Sequence, residues 1–245
     1  MSIADKLTTI AENEQKVYEK GRTDEWGEFW DAYQKNGSRK NYYYAFTSDV
    51  FDMWNDKNFK PKYDMQPTNM NRFMRRCGVT NLEEILDRQG VVLDTSKATM
   101  MMLAFGDMSR LAVLPVIDVT SATDSNGASS IFNSDTRLHT IRKLIVAENI
   151  NFGASFASCG SLKNLIIEGV IGCNLNLSAC PLTIESLRSV ISCLKDCSTE
   201  NQGTYTLTLK DTCKTALEAD TETIAFNGQS YTYFNLITAK GWNLA

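Results

Sequence analysis

The sequence predicts an α/β repeat fold: short stacked units with a parallel sheet along one side, a separate N-terminal helix, and a C-terminal α/β cap. Three observations carry this. Phe73, Phe105, Phe132 and Phe156 each open a segment with apolar residues six and nine positions on: Val79 and Leu82, Leu111 and Leu114, Leu138 and Ile141, Leu162 and Leu165. The stretch Val92-Leu93-Asp94-Thr95-Ser96-Lys97-Ala98-Thr99 is echoed by Val116-Ile117-Asp118-Val119-Thr120-Ser121-Ala122-Thr123. Leu162 to Ile167 and Ile141 to Val146 follow a Leu-x-x-Leu-x-Ile type pattern that suits one strand per unit.

A unit of about 25 residues cannot cover its own apolar face, whereas stacked units share one core, each landmark forming a ladder along the axis. The phenylalanines lie 32, 27 and 24 residues apart, and a fifth partial unit starts near Leu177, where Leu-Ser-Ala-Cys echoes Phe156-Ala157-Ser158-Cys159. Such unequal spacing fits an irregular leucine-rich-repeat solenoid, which tolerates insertions in its outer arc, better than a strict β-helix. An insertion that lengthens its unit is expected between Val119 and Ser130.

Residues 1–37 read as a helix for oligomerisation or attachment. Ser2 can cap it, Asp5 sits favourably in the first turn, and Asn36-Gly37 stops it. Ile3, Leu7, Ile10 and Val17 form a heptad seam that continues imperfectly into Trp26, Phe29, Trp30 and Tyr33. The stripe packs either on the rest of the same chain or on copies of itself. Self-association is the reading taken, because the polar Asn-Gly-Ser-Arg-Lys run detaches the helix from the aromatic segment after it. Residues 38–72 are dense in Tyr, Phe and Trp and contain Pro61 and Pro67. That composition suits a cap over the first open unit; an exposed aromatic platform for sugar or peptide is the alternative.

Residues 73–180 hold the repeats, with Phe73, Leu82, Phe105, Leu111, Leu114, Phe132, Leu138, Ile141, Phe156, Leu162 and Leu165 as core. Residues 181–245 form the C-terminal cap. Leu182 to Lys195 reads as an amphipathic helix capped by Thr183, Tyr205 to Leu209 as a strand, a stretch near 212–219 as a second helix, and the end as a helix followed by a short strand at Trp242-Asn243-Leu244.

Composition narrows the function classes. With 43% hydrophobic and 10% aromatic residues the 245-residue chain can bury a core, so disorder is not expected. The net charge of −4 and the absence of a Lys/Arg cluster argue against a nucleic-acid partner. No apolar run approaches the length of a membrane span, and the polar N-terminus lacks the apolar region of a secretory signal. The chain is therefore expected to be made and folded in the cytoplasm, unless exported as part of a particle, without a membrane partner.

No catalytic constellation stands out. The single histidine, His139, stands before a strand with no Gly-x-Ser-x-Gly elbow elsewhere. No phosphate-binding glycine motif occurs, and no facing carboxylate pair is evident for glycoside cleavage. The seven cysteines contain no Cys-x-x-Cys pair; with one histidine they read as buried small hydrophobes, not as a metal site. No cofactor and no catalytic residue is expected.

Phe59-Lys60-Pro61-Lys62-Tyr63-Asp64-Met65-Gln66-Pro67-Thr68, the Asp94 to Thr99 stretch, the Phe-x-x-Cys-x-x-Leu unit at 156–162, and the C-terminal run from Leu-Thr-Ile-Glu-Ser-Leu to Lys-Gly-Trp-Asn-Leu-Ala resemble BspA-type leucine-rich-repeat proteins. The versions resembled most are those found in or near tail genes of phages and prophages of gut Firmicutes, which also begin with a helix similar to Met1 to Leu7. The resemblance covers nearly the whole chain. It implies a non-enzymatic repeat protein of a virion tail or baseplate, with itself or other tail proteins as partners and a host cell-surface protein or glycan as target. The alternative is a bacterial surface adhesin or general interaction module.

Overall fold

In a computed structural model, residues 65–199 and 205–245 are described. Residues 1–64 lie outside them, and with them the expected N-terminal helix, most of the aromatic segment, and the expected oligomerisation set Ile3, Leu7, Ile10, Val17, Trp26, Phe29, Trp30 and Tyr33.

The described chain is α/β. Helix α1 (Leu82–Gln89) precedes strands β1 (Val113–Asp118), β2 (Thr140–Val146) and β3 (Asn164–Gly169), which pair in parallel in the order β1-β2-β3. Then come β4 (Leu175–Leu177), α2 (Ile184–Ser192), β5 (Thr206–Leu209), α3 (Asp211–Glu218), the antiparallel pair β6 (Thr223–Phe226) and β7 (Gln229–Thr232), α4 (Tyr233–Ala239) and β8 (Asn243–Leu244). A second parallel sheet has the order β4-β5-β8.

The core follows the landmarks. Phe73, Phe105, Phe132 and Phe156 are fully buried, with ring centroids 6.1, 6.1 and 5.5 Å apart in succession. Such spacings lie within the range in which aromatic pairs attract beyond their buried area. Leu82, Leu111, Leu114, Leu138, Ile141, Leu162 and Leu165 are equally buried. The backbone around each phenylalanine donates to the next turn of chain. Met70, Arg72, Met74 and Arg76 bond the carbonyls of Met100, Met102, Ala104 and Gly106; Met101, Leu103, Phe105 and Asp107 bond those of Gly127, Ser129, Ile131 and Asn133. These arcs carry left-handed residues that are not glycine, spaced by four: Arg72 and Arg76, Leu103 and Asp107, Ser130 and Ser134. Each such residue costs about 1–2 kcal/mol, which the bonds between neighbouring turns offset.

Two expectations require correction. The first unit does not contribute a strand to the sheet. Asn81 forms an isolated parallel bridge to Val113, and the chain then leaves as α1, eight residues long, before Leu93 bridges to Met65. Leu82, Ile85 and Leu86 have helical i, i+3, i+4 spacing, Asn81 caps the helix by accepting from the Glu84 amide, and Gly90 ends it at φ 66°. Removing those eight residues shortens the 32-residue spacing to 24, the length of the later unit. The longest excursion is therefore α1.

The second concerns the C-terminal region, where the β6–β7 hairpin was not foreseen. Asn227 and Gly228, at φ 48° and 77°, make the turn, a geometry that favours this residue pair.

Strand β3 is one residue tighter than β2. Ile141 pairs with Leu165 and Leu144 with Ile167, so Arg142 and Lys143 together oppose Ile166. Close approach of chain to chain requires glycine at two places. A Cβ on Gly153 would stand 1.7 Å from the Asn174 carbonyl oxygen, and one on Gly169, at φ 109°, 2.0 Å from that of Val146.

Candidate functional site

Parallel sheets usually have both faces covered. Here the inner face meets the core, whereas outward side chains remain in contact with solvent. Val116 is 47% exposed and Ile166 42%. Between them Lys143, opposite Val116 in the register, pairs with Glu168 at 2.7 Å, and Arg142 pairs with Glu83 of α1 at 3.0 Å. The result is a rigid face of β-branched apolar groups separated by held charges. It can be contacted by another surface without first ordering its own backbone.

Both edges of this sheet are closed. On β1, Pro115 lacks an N–H to offer, and the Asp118 amide is taken by the buried Thr95 hydroxyl at 2.7 Å. On β3, the amides of Leu165 and Ile167 donate to the hydroxyls of Ser186 and Ser189 of α2, both at 2.9 Å. Of this sheet, the exposed face rather than an edge is thus open to contact.

The buried polar groups serve the fold. Asp135 is fully buried; one carboxylate oxygen accepts from the Met108 amide at 2.7 Å and the other has no partner. Burial pushes its carboxyl up to about 9, so it is protonated at neutral pH. Three thiols donate to carbonyls of preceding turns: Cys159 to Phe132 at 3.1 Å, Cys180 to Phe156 at 3.9 Å and Cys213 to Cys180 at 3.5 Å. Burial pushes the thiols of Cys77 and Cys180 up to about 11 and 12, and raises Cys159 as well. All seven cysteines are free, and no grouping of His, Cys, Asp and Glu among the described residues could hold a metal ion. Lys240, almost wholly buried, donates to the carbonyls of Ile191, Ser192 and Leu194 at 3.2, 2.7 and 2.7 Å and so closes the C-terminus of α2. His139 is exposed, its Nδ1 2.9 Å from the Thr140 hydroxyl.

Sequence reading located the inward residues of the strands but not the outward pair Val116 and Ile166. Their signal was an apolar residue between two inward ones, Val116 between Leu114 and Ile117 and Ile166 between Leu165 and Ile167, where a polar residue would suit water. No helix among the described residues is long and apolar enough to cross a membrane. Comparison of the chain with protein-family models, with curated proteins and with solved structures finds no match.

Proposed function

We propose that this chain is a leucine-rich-repeat solenoid with no catalytic activity of its own, a structural and binding component of a phage tail or baseplate that presents its repeat surface for host recognition. The observation that carries the repeat reading is the in-register stack of Phe73, Phe105, Phe132 and Phe156, with backbone bonds passing from one turn of chain to the next. A stack of this kind yields a rigid, extended surface built from a short sequence, which suits recognition better than turnover. The roles of Asp135, Cys159, Cys180 and Cys213 support the binding reading, because each is used inside the core. The tail assignment rests on the resemblance of the 59–68 motif and the C-terminal segment.

In this reading the N-terminal helix, residues 3–35, joins copies of the chain or a tail partner, and the repeats project outward so that several weak contacts act together. The test is deletion of residues 1–36. The shortened protein should be folded, monomeric and absent from purified particles, whereas the full chain is found in them by mass spectrometry and immunogold labelling. A shortened protein that keeps the native assembly and still enters virions would overturn the proposal.

A further inference from the structure

Away from the exposed sheet face, a groove of about 740 Å³ runs beside the starts of β2 and β3. Its floor is a run of backbone in which the Ala112 amide donates to Thr80, that of His139 to Ala112, and that of Lys163 to His139. Thr80, Ala112, His139 and Lys163 stand at the same offset, seven residues after Phe73, Phe105, Phe132 and Phe156. Two residues earlier in consecutive units stand Arg110 and Arg137, both exposed and both lining the groove. The groove therefore follows the stacking direction and receives a cation at nearly every step.

No Asp or Glu among the described residues lines it. Arg110, Arg137 and Lys163 have neither ion pair nor side-chain hydrogen bond among the described residues, whereas Arg75, Arg142, Lys143, Arg188 and Lys195 each face an acid. The nearest carboxyl along the chain, Asp135, points inward to the Met108 amide. Like charges repeated on neighbouring turns disfavour the fold, and in a chain of net charge −4 this concentration is out of keeping with the rest. An anionic ligand would relieve the cost.

We infer that this groove is a binding site for a linear acidic glycan, with Arg110, Arg137 and Lys163 taking carboxylate, sulfate or phosphate groups on successive sugars. Neighbouring turns stand ~4.8 Å apart, a step close to the length of one hexose. Thr80, Ser161 and Asn164 also line the groove; the Ser161 hydroxyl donates to the Thr136 carbonyl at 2.7 Å and the Asn164 amide to the Thr140 hydroxyl at 3.2 Å, which leaves their oxygens to accept from sugar hydroxyls. Among the described residues the lining contains no Phe, Tyr or Trp on which a nucleobase could stack, and its apolar members, Ala112 and Pro181, offer no pocket for a peptide anchor. The site goes beyond the proposed tail function and does not depend on where the protein resides.

The full chain would be titrated calorimetrically with oligogalacturonate, dextran sulfate, unmodified dextran and an oligothymidylate. Oligogalacturonate and dextran sulfate should bind, with affinity falling as salt rises because counterions are released. Dextran should not bind. The double variant Arg110→Gln/Arg137→Gln should lose at least tenfold in affinity with a thermal midpoint unchanged or raised. The exposed Lys163→Gln variant provides a second measure of the same loss, and Arg142→Gln, on the sheet face, should bind as the parent does. Equal binding of dextran, tighter binding of the oligothymidylate than of either acidic glycan, or undiminished binding by the double variant would each overturn the inference. Presence of the protein in particles together with any of these results would leave the tail proposal standing and remove this one.

Discussion

The backbone amide of Leu165 donates to the hydroxyl of Ser186 at 2.9 Å, and that hydroxyl donates in turn to the Lys163 carbonyl at 3.1 Å. One turn of helix further on, Ser189 repeats the arrangement with the amide and carbonyl of Ile167 at 2.9 and 3.3 Å. A helix has no free backbone groups to offer a strand. Two serines three residues apart supply the bonds instead, so α2 closes the sheet that a further strand would have extended.

Ser186→Ala should accordingly destabilise the protein by about 1–3 kcal/mol, the cost of a buried amide left without a partner. Urea unfolding measures it. A midpoint equal to that of the parent would mean that water reaches the edge and the closure is unimportant.

Asp135 gives a stability that depends on pH with a fixed sign. Its carboxyl is pushed up to about 9 in the folded protein, against an ordinary value near 3.9 in an unfolded chain. Below about pH 4 both states hold the proton. Above it the unfolded chain loses the proton while the folded protein keeps it, so stability falls as pH rises, levelling off beyond about pH 9. Asp135→Asn keeps the acceptor for the Met108 amide and removes the ionisation. At pH 8 the variant should be more stable by about 1–3 kcal/mol, and its stability should depend less on pH between 5 and 8. A parent and variant with parallel pH profiles would show that Asp135 is charged in the fold.

Gly153→Ala should cost about 1–3 kcal/mol or more, because the new methyl meets the Asn174 carbonyl oxygen rather than a side chain that could turn aside. Thermal unfolding is the measurement. Gly160→Ala, which meets nothing within 4 Å, is the matched control and should change little. Equal behaviour of the two would show that the neighbouring turns can separate without penalty.

Leu165→Asp places a charge at a fully buried position paired with Ile141, and should abolish folding, since an unpaired charge in an apolar interior costs several kcal/mol. Circular dichroism and hydrogen exchange read the outcome. A folded variant would require a different register for β3.

Much of this architecture was legible because burial writes the same residues at the same offsets. Phe73 to Phe156 and the leucines after them mark the core wherever one turn of chain lies on the next. Thr183 marked the start of α2, and alternation marked β5. What escaped had two causes. In the first unit, Leu82 satisfies both the repeat pattern and the i, i+3 pattern with Ile85, so periodicity alone could not decide between strand and helix; the cap at Asn81 and Gly90 decides it. The β6–β7 hairpin carries few buried residues, and its signal lay in the Asn227-Gly228 pair rather than in hydrophobicity. The cationic groove was hidden for another reason. Arg110, Arg137 and Lys163 are dispersed in sequence and come together only when the turns stack.

The cysteines provide a clock for each part of the stack. Cys77, Cys159, Cys180 and Cys213 lie in different turns of the chain and are all buried. A thiol reacts with an alkylating reagent only as thiolate and only when the reagent can reach it. Labelling of the native protein therefore waits on local opening, and its rate at each sulfur measures the free energy of that opening. Mass spectrometry of partly alkylated chains would then read the sequence of events: fraying from one end labels these four thiols in chain order or its reverse, whereas a single cooperative transition labels them together.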